Sequence, residues 1–135
     1  MRSPLPLLLG ERCRGERGDR GSAEPILILP VVFVMVLGVV QAGMWAHAQH
    51  RAGAIASQAL ASARAFDGST ASAYERAEQA QRQLGGGVLE GMDVEVHRTS
   101  EQARVRVTGN VVGLVPGMDM PVSSEVSGPV ERLTP

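Results

Sequence analysis

The sequence contains no lysine, one cysteine and four aromatic residues, and each scarcity excludes something. With Cys13 alone, neither an intramolecular disulfide nor a cysteine-built zinc site can form within one chain. Cys13 also precedes the apolar run that a lipidated cysteine would follow, so it reads as an incidental thiol. All 13 basic residues are arginine and 14 residues are acidic, for a formal net charge of -1, which lacks the basic excess of a nucleic-acid binder. At 135 residues the chain has room for one small domain, so a two-lobed cofactor-binding enzyme is excluded. From residue 66 onward the aromatics are Phe66 and Tyr74 and the large aliphatics are mostly valine. At about 25 cal/mol per Å² of apolar area buried, so few large side chains make a marginal core.

Charge is missing altogether from Pro25 to Ala48. Within that stretch Ile26–Trp45 is apolar almost throughout, with Gln41 its one strongly polar residue. As a helix these residues span roughly 30 Å, the hydrocarbon thickness of a bilayer. Trp45 at the far end suits the membrane–water interface, Pro25 suits a first helical turn, and Pro30 is a position for a kink. A transmembrane helix is expected over 25–46. Arg2, Arg12, Arg14, Arg17 and Arg20 precede it, whereas only Arg51 and Arg64 follow closely. The positive-inside rule then places the leader, 1–24, in the cytoplasm and the rest outside the plasma membrane. Ala46-His47-Ala48 resembles a secretory cleavage site, but the apolar run and the segment before it are both too long for an ordinary signal peptide.

Beyond Trp45 an alanine-rich stretch continues the helix as a stalk over 47–66, with Ile55, Leu60 and Phe66 as its large apolar side chains. Asp67-Gly68-Ser69 ends it. Ser72-x-x-Glu75 resembles a capping box for a second, polar helix that Gly85-Gly86-Gly87 terminates, so 67–87 holds a short helix and a hinge. After Gly87 the period becomes two: Val94 and Val96 alternate with polar residues, as do Val105 and Val107. Thr99–Gln102 reads as the turn between them, Gly109-Asn110 as a second turn or a bulge, and Val115–Asp119 as a break. Met120, Val122 and Val126 mark a last strand. The class is α+β, with three or four antiparallel strands over 88–135. So thin a sheet should need the stalk helix laid on its face, a partner subunit, or both.

No catalytic constellation emerges. His47 and His50 share a helical face but have no neighbouring ligand, so they read as polar residues at a membrane edge. Asp93 and Glu95 lie on one strand face opposite Val94 and Val96, which reads as a solvated face. The glycine run lacks the residues of a phosphate loop, and no nucleophile-elbow motif is present. Neither enzyme activity nor a cofactor or metal is expected. Gly38 and Ala42 form a small-xxx-small pair, and Gln41 is an interhelical hydrogen-bond candidate, a combination suited to packing among membrane helices. Glu24 borders the apolar run, where a carboxylate favours the helix N-terminus and could pair with a neighbouring subunit's free amino terminus.

The leader ending Arg20-Gly21-Ser22-Ala23-Glu24, the apolar helix with its Glu24-x5-Pro30 spacing, and Gln41-Ala42-Gly43-Met44-Trp45-Ala46-His47-Ala48-Gln49 together resemble the TadE-like proteins. These are minor pseudopilins of tight-adherence, Flp-type pilus systems. Gly113–Val122 is similar to actinobacterial members. The resemblance implies a pilin-like architecture, insertion in the plasma membrane, other pilins and the assembly machinery as partners, and processing by a prepilin peptidase at Gly21-Ser22. One departure stands out: that processing expects glutamate at the fifth mature position, whereas Glu24 is third after Gly21 and sixth after Gly18.

Overall fold

The computed structural model describes residues 20–84, 87, 89–114 and 117–132, with side chains described from Pro25 onward. It contains two helices and three strands in the order α1 (Arg20–Arg64), α2 (Thr70–Leu84), β1 (Leu89–Arg98), β2 (Gln102–Val111) and β3 (Met120–Pro129). A long apolar helix, a short second helix and an antiparallel sheet make the class α+β, as the periodicity implies. The chain divides into two compact units, Met1–Met35 and Val36–Pro135.

In the first unit the described side chains are those of Pro25–Met35, all exposed. The membrane and stalk segments read from the sequence belong to one helix, and Pro25 and Pro30 both lie inside it.

The second unit forms the head. Its sheet has the order β1-β2-β3, antiparallel throughout. β2 is central and alternates cleanly, with Ala103, Val105, Val107, Gly109 and Val111 buried and the residues between them turned outward. The inner face meets a stripe along α1, Ala48, Ala52, Ile55, Ala56, Ala59 and Ala63, spaced three and four apart so that one side of the helix is enclosed. α2 adds Ala73, Ala77 and Ala80 to the same cluster. Alanine in eight of these nine helical positions explains how few bulky residues suffice: backbones approach closely, and area is gained through proximity. All four aromatics, Phe33, Trp45, Phe66 and Tyr74, stay exposed. Of the two supports expected for a thin sheet, the stalk helix is therefore supplied by the chain itself.

α1 also closes the β3 edge. Trp45 Nε1 donates to the Pro121 carbonyl at 3.2 Å, Gln49 Nε2 to Ser123 at 2.7 Å and Arg64 Nε to Pro129 at 2.8 Å. Pro121 and Pro129 have no N–H to leave unpaired, so this edge offers little to a passing strand. On the opposite edge the Val96 N–H reaches the Tyr74 hydroxyl of α2 at 3.4 Å.

Two local features differ from the sequence reading. The capping box lies one turn earlier than Ser72-x-x-Glu75: the Ser72 N–H donates to Ser69 Oγ at 3.0 Å and the Ser69 N–H to Ser72 Oγ at 3.0 Å. Serine at both ends satisfies two otherwise unpaired donors reciprocally, which starts α2 at Thr70 and leaves Glu75 exposed. Gly109-Asn110, in turn, is neither a turn nor a bulge but regular β2 backbone. The bulge lies across from it in β1, between Glu90 and Asp93, where Gly91 takes φ +59°. Gly109 serves that bulge by lacking a side chain, since a Cβ there would stand 3.2 Å from Leu89 Cγ. The β1–β2 turn is where the sequence places it, with the Thr99 N–H on the Gln102 carbonyl at 2.8 Å. Gly85, Gly86, Val115 and Pro116, read as hinge and break, lie outside the described residues.

Candidate membrane and assembly surface

From Ile26 to Val40 every side chain but Leu37 is exposed, and every one is apolar. Leu27 is 76% and Val39 73% exposed, values that large aliphatic side chains in water would not sustain as a continuous surface. Gly38 and Ala42 lie on this helix with open surroundings; a Cβ added at Gly38 meets nothing within 4 Å. Gly21, Ser22 and Glu24 fall at the start of α1, and their side chains lie outside the described residues, as do Cys13 and the leader up to Asp19.

Gln41 is placed differently from its neighbours. It is buried, its Oε1 accepts the Leu114 N–H at 2.9 Å, and its Nε2 points to Met120 Sδ at 3.6 Å. The amide thus ties α1 to Leu114, between β2 and β3, and to Met120, the first residue of β3. Trp45 does the same one turn further on through Pro121. These two ties were invisible in the sequence, where both residues read as features of a membrane helix alone. The only hint was the apolar character of Val111–Val115, with Met118 and Met120 either side of Asp119, in an otherwise polar region.

His47 and His50 are both exposed. Among the described residues no three His, Cys, Asp or Glu side chains come together in a way that could hold a metal ion. Asp93 and Glu95 are exposed on the outer sheet face, as alternation requires. That face holds the strongest ion pair described. Arg106 reaches Glu125 Oε2 through Nη2 at 2.6 Å and Nε at 2.9 Å, and Arg104 Nε stands 3.6 Å from Oε1. Glu95, His97 and these three residues line a shallow cleft of about 140 Å³. Register creates the cluster, since β-pairing sets Glu95 beside Arg106 and Arg106 beside Glu125.

Hydrogen bonding from Arg106 is the main cause that holds the Glu125 carboxyl below its ordinary range; desolvation opposes it, and the charges of Arg106 and Arg104 add to the lowering. A carboxyl depressed in the folded state stabilises the fold above its unfolded value and loses that contribution as pH falls through the folded one. The Glu125 carboxyl resonance should therefore titrate below an ordinary glutamate, and Arg106→Gln should move its midpoint upward. An unchanged midpoint in the variant would separate the pair from the shift.

An α+β chain whose N-terminal helix is long and apolar enough to cross a membrane is thus the class that fold and surface define. Residues 21–60 match the family model described as TadE-like protein. The match covers the segment that carries the strongest part of the sequence resemblance, and it includes Gly21, Ser22, Glu24, Gly38, Gln41 and Ala42. No curated protein and no solved structure matches the chain.

Proposed function

We propose that this chain is a membrane-anchored TadE-like pseudopilin, a non-enzymatic structural or assembly component of a Flp-type pilus or a related secretion system. The observation that carries the reading is the coincidence of the TadE-like match over 21–60 with an exposed apolar surface from Ile26 to Val40. The helix crosses the plasma membrane once, with the arginine-rich leader in the cytoplasm and the head outside, as the distribution of arginine favours. Its partners are the bilayer, other pilins and the assembly machinery, with a prepilin peptidase acting at Gly21-Ser22. Glu24, Gly38, Gln41 and Ala42 are the positions proposed for subunit packing, with Gln41 contributing through its place between helix and head.

Gly38→Ile tests the packing surface. It adds a branched side chain where the chain itself offers no obstacle, so the fold and membrane insertion should be retained. Close helix approach should be lost, and crosslinking between subunits in membranes should fall by about tenfold, the equivalent of one interhelical contact of 1–2 kcal/mol. Unchanged crosslinking would count against packing through this face. A second reading is favoured by one observation: the family match stops at residue 60, before α2 and the sheet. On that reading the head is an anchored binding module of the cell envelope unrelated to pili, and deleting the gene would leave pilus assembly unchanged.

A further inference from the structure

We propose that the β1 edge of the head is a docking strand for an extended segment of another protein, one that alternates arginine or lysine with small apolar residues. The inference goes beyond the assembly role above and uses the head alone.

The two edges of the sheet are not equivalent. α1 closes the β3 edge through Trp45, Gln49 and Arg64, whereas among the described residues β1 has no strand outside it. In an antiparallel ladder successive residues send their N–H and C=O alternately to one side and the other. The Val96 N–H goes to Tyr74, away from β2, so Val94, two positions back in the same register, also presents its N–H and C=O to the edge. Among the described residues nothing is hydrogen-bonded outward to Val94. Beside it lies a cleft of about 240 Å³ between α2 and β1. Ala77, Met92 and Val94 line it as buried or half-buried side chains, and Tyr74, Glu78 and Gln81 line it as exposed ones. Free backbone beside such a cleft is what strand addition uses: main-chain bonds hold the guest, and alternate side chains are read on either face.

Charge names the occupant. Glu90 and Asp93 stand opposite the neutral Asn110 and Thr108, so nothing across the ladder neutralises them. Glu95 faces Arg106, which Glu125 already holds. Glu78 has an exposed pair with Arg82 at 3.7 Å, and Arg98 turns away to the Ala63 carbonyl. A guest residue opposite Val94 therefore points to the side of Ala77 and Met92, while its two neighbours point to the side of Asp93 and Glu95. Small apolar side chains suit the first position and cations the other two. A second copy of β1 suits neither. A two-fold centred on Val94 sets Asp93 of one copy beside Glu95 of the other, twice, and one centred on Glu95 opposes two carboxylates directly. Centred on Val96, it must displace the Tyr74 hydroxyl.

The test titrates the isotope-labelled full chain, in detergent micelles, with the blocked peptide ARVRVT, the sequence of residues 103–108, and with AEVEVT. Saturating ARVRVT should slow hydrogen exchange at the Val94 amide by about tenfold, and AEVEVT should leave it unchanged. The Arg106 amide, inside the β1–β2 ladder, should keep its protection throughout. Asp93→Arg, an exposed change opposite Thr108, should weaken ARVRVT binding severalfold with Arg106 still protected. Equal protection of Val94 by both peptides, or by neither, would overturn the inference, as would an Asp93→Arg chain that bound ARVRVT as before. Protection that rose with chain concentration in the absence of peptide would overturn it in favour of a second copy. Loss of protection at Arg106 would overturn it in favour of exchange with β2.

Discussion

Ile55→Ala should destabilise the head by about 2–5 kcal/mol, the range for removing a buried isoleucine down to alanine. Small domains hold only about 5–15 kcal/mol in total, so this one truncation should remove a large fraction of the stability. The size of the effect follows from what surrounds the residue. Ile55 is 1% exposed, and the other large, fully enclosed side chains are Val105, Val107, Val111 and Val122 of the sheet. The α1 and α2 positions in the same cluster are otherwise almost all alanine, which cannot move to refill the void. Urea unfolding of the full chain in detergent micelles, followed by far-UV circular dichroism, measures it. Val34→Ala, 65% exposed, is the matched control and should leave the head's transition in place. Ala59→Leu approaches the same contact from the other side, and at a fully buried site the added carbons should cost about 1–3 kcal/mol through overpacking. If Ile55→Ala and Val34→Ala gave equal transitions, α1 would not be the layer under the sheet.

That layer was legible in the sequence in outline. Alanine-rich helix, polar helix and period-two valines each declared an element, and the scarcity of large side chains called for a cover from the stalk, a partner subunit, or both. Periodicity says which side of an element is buried but not what lies against it. Gln41 shows the difference: as sequence it is a polar residue in an apolar run, and only the fold brings Leu114 and Met120 to it from more than 70 positions away. The same holds for Arg106 and Glu125, two unremarkable charges until strand register sets them side by side. Local signals misled where two candidates lay close together. Ser69 and Ser72 are both good caps, and the reciprocal serine pair prevails over Ser72 with Glu75 because each hydroxyl meets the other's backbone N–H.

Gly68→Ala should cost about 3 kcal/mol, at the upper end of the usual range for overpacking, although it adds one methyl group in an ordinary surface turn. Conformation is not the reason, because the positive-φ glycines described are Gly87, Gly91 and Gly117. The reason is the end of α1. A Cβ at Gly68 would overlap the Ser62 carbonyl oxygen and stand 2.9 Å from that of Ala65 and 3.2 Å from that of Ala63. These obstacles are backbone, so no rotamer change relieves them, and the neighbouring carbonyls are already in use. Ala63 accepts from Arg98 Nε at 2.8 Å, and Arg64 accepts from the Glu131 N–H at 2.8 Å. Moving the helix end to admit a methyl group therefore loosens both edge strands, at the same end of the sheet, from α1. Gly53→Ala supplies the contrast. It lies inside the same helix, its added Cβ would meet Ser124 Oγ at an ordinary 3.6 Å, and the gain in helix propensity should stabilise by about 0.5–1 kcal/mol. The two substitutions add the same atoms and should shift the urea midpoint in opposite directions. A Gly68→Ala midpoint at or above that of the native chain would mean that the turn yields without disturbing the helix end, and that α1 is held to the sheet by its alanine stripe rather than by its terminal carbonyls.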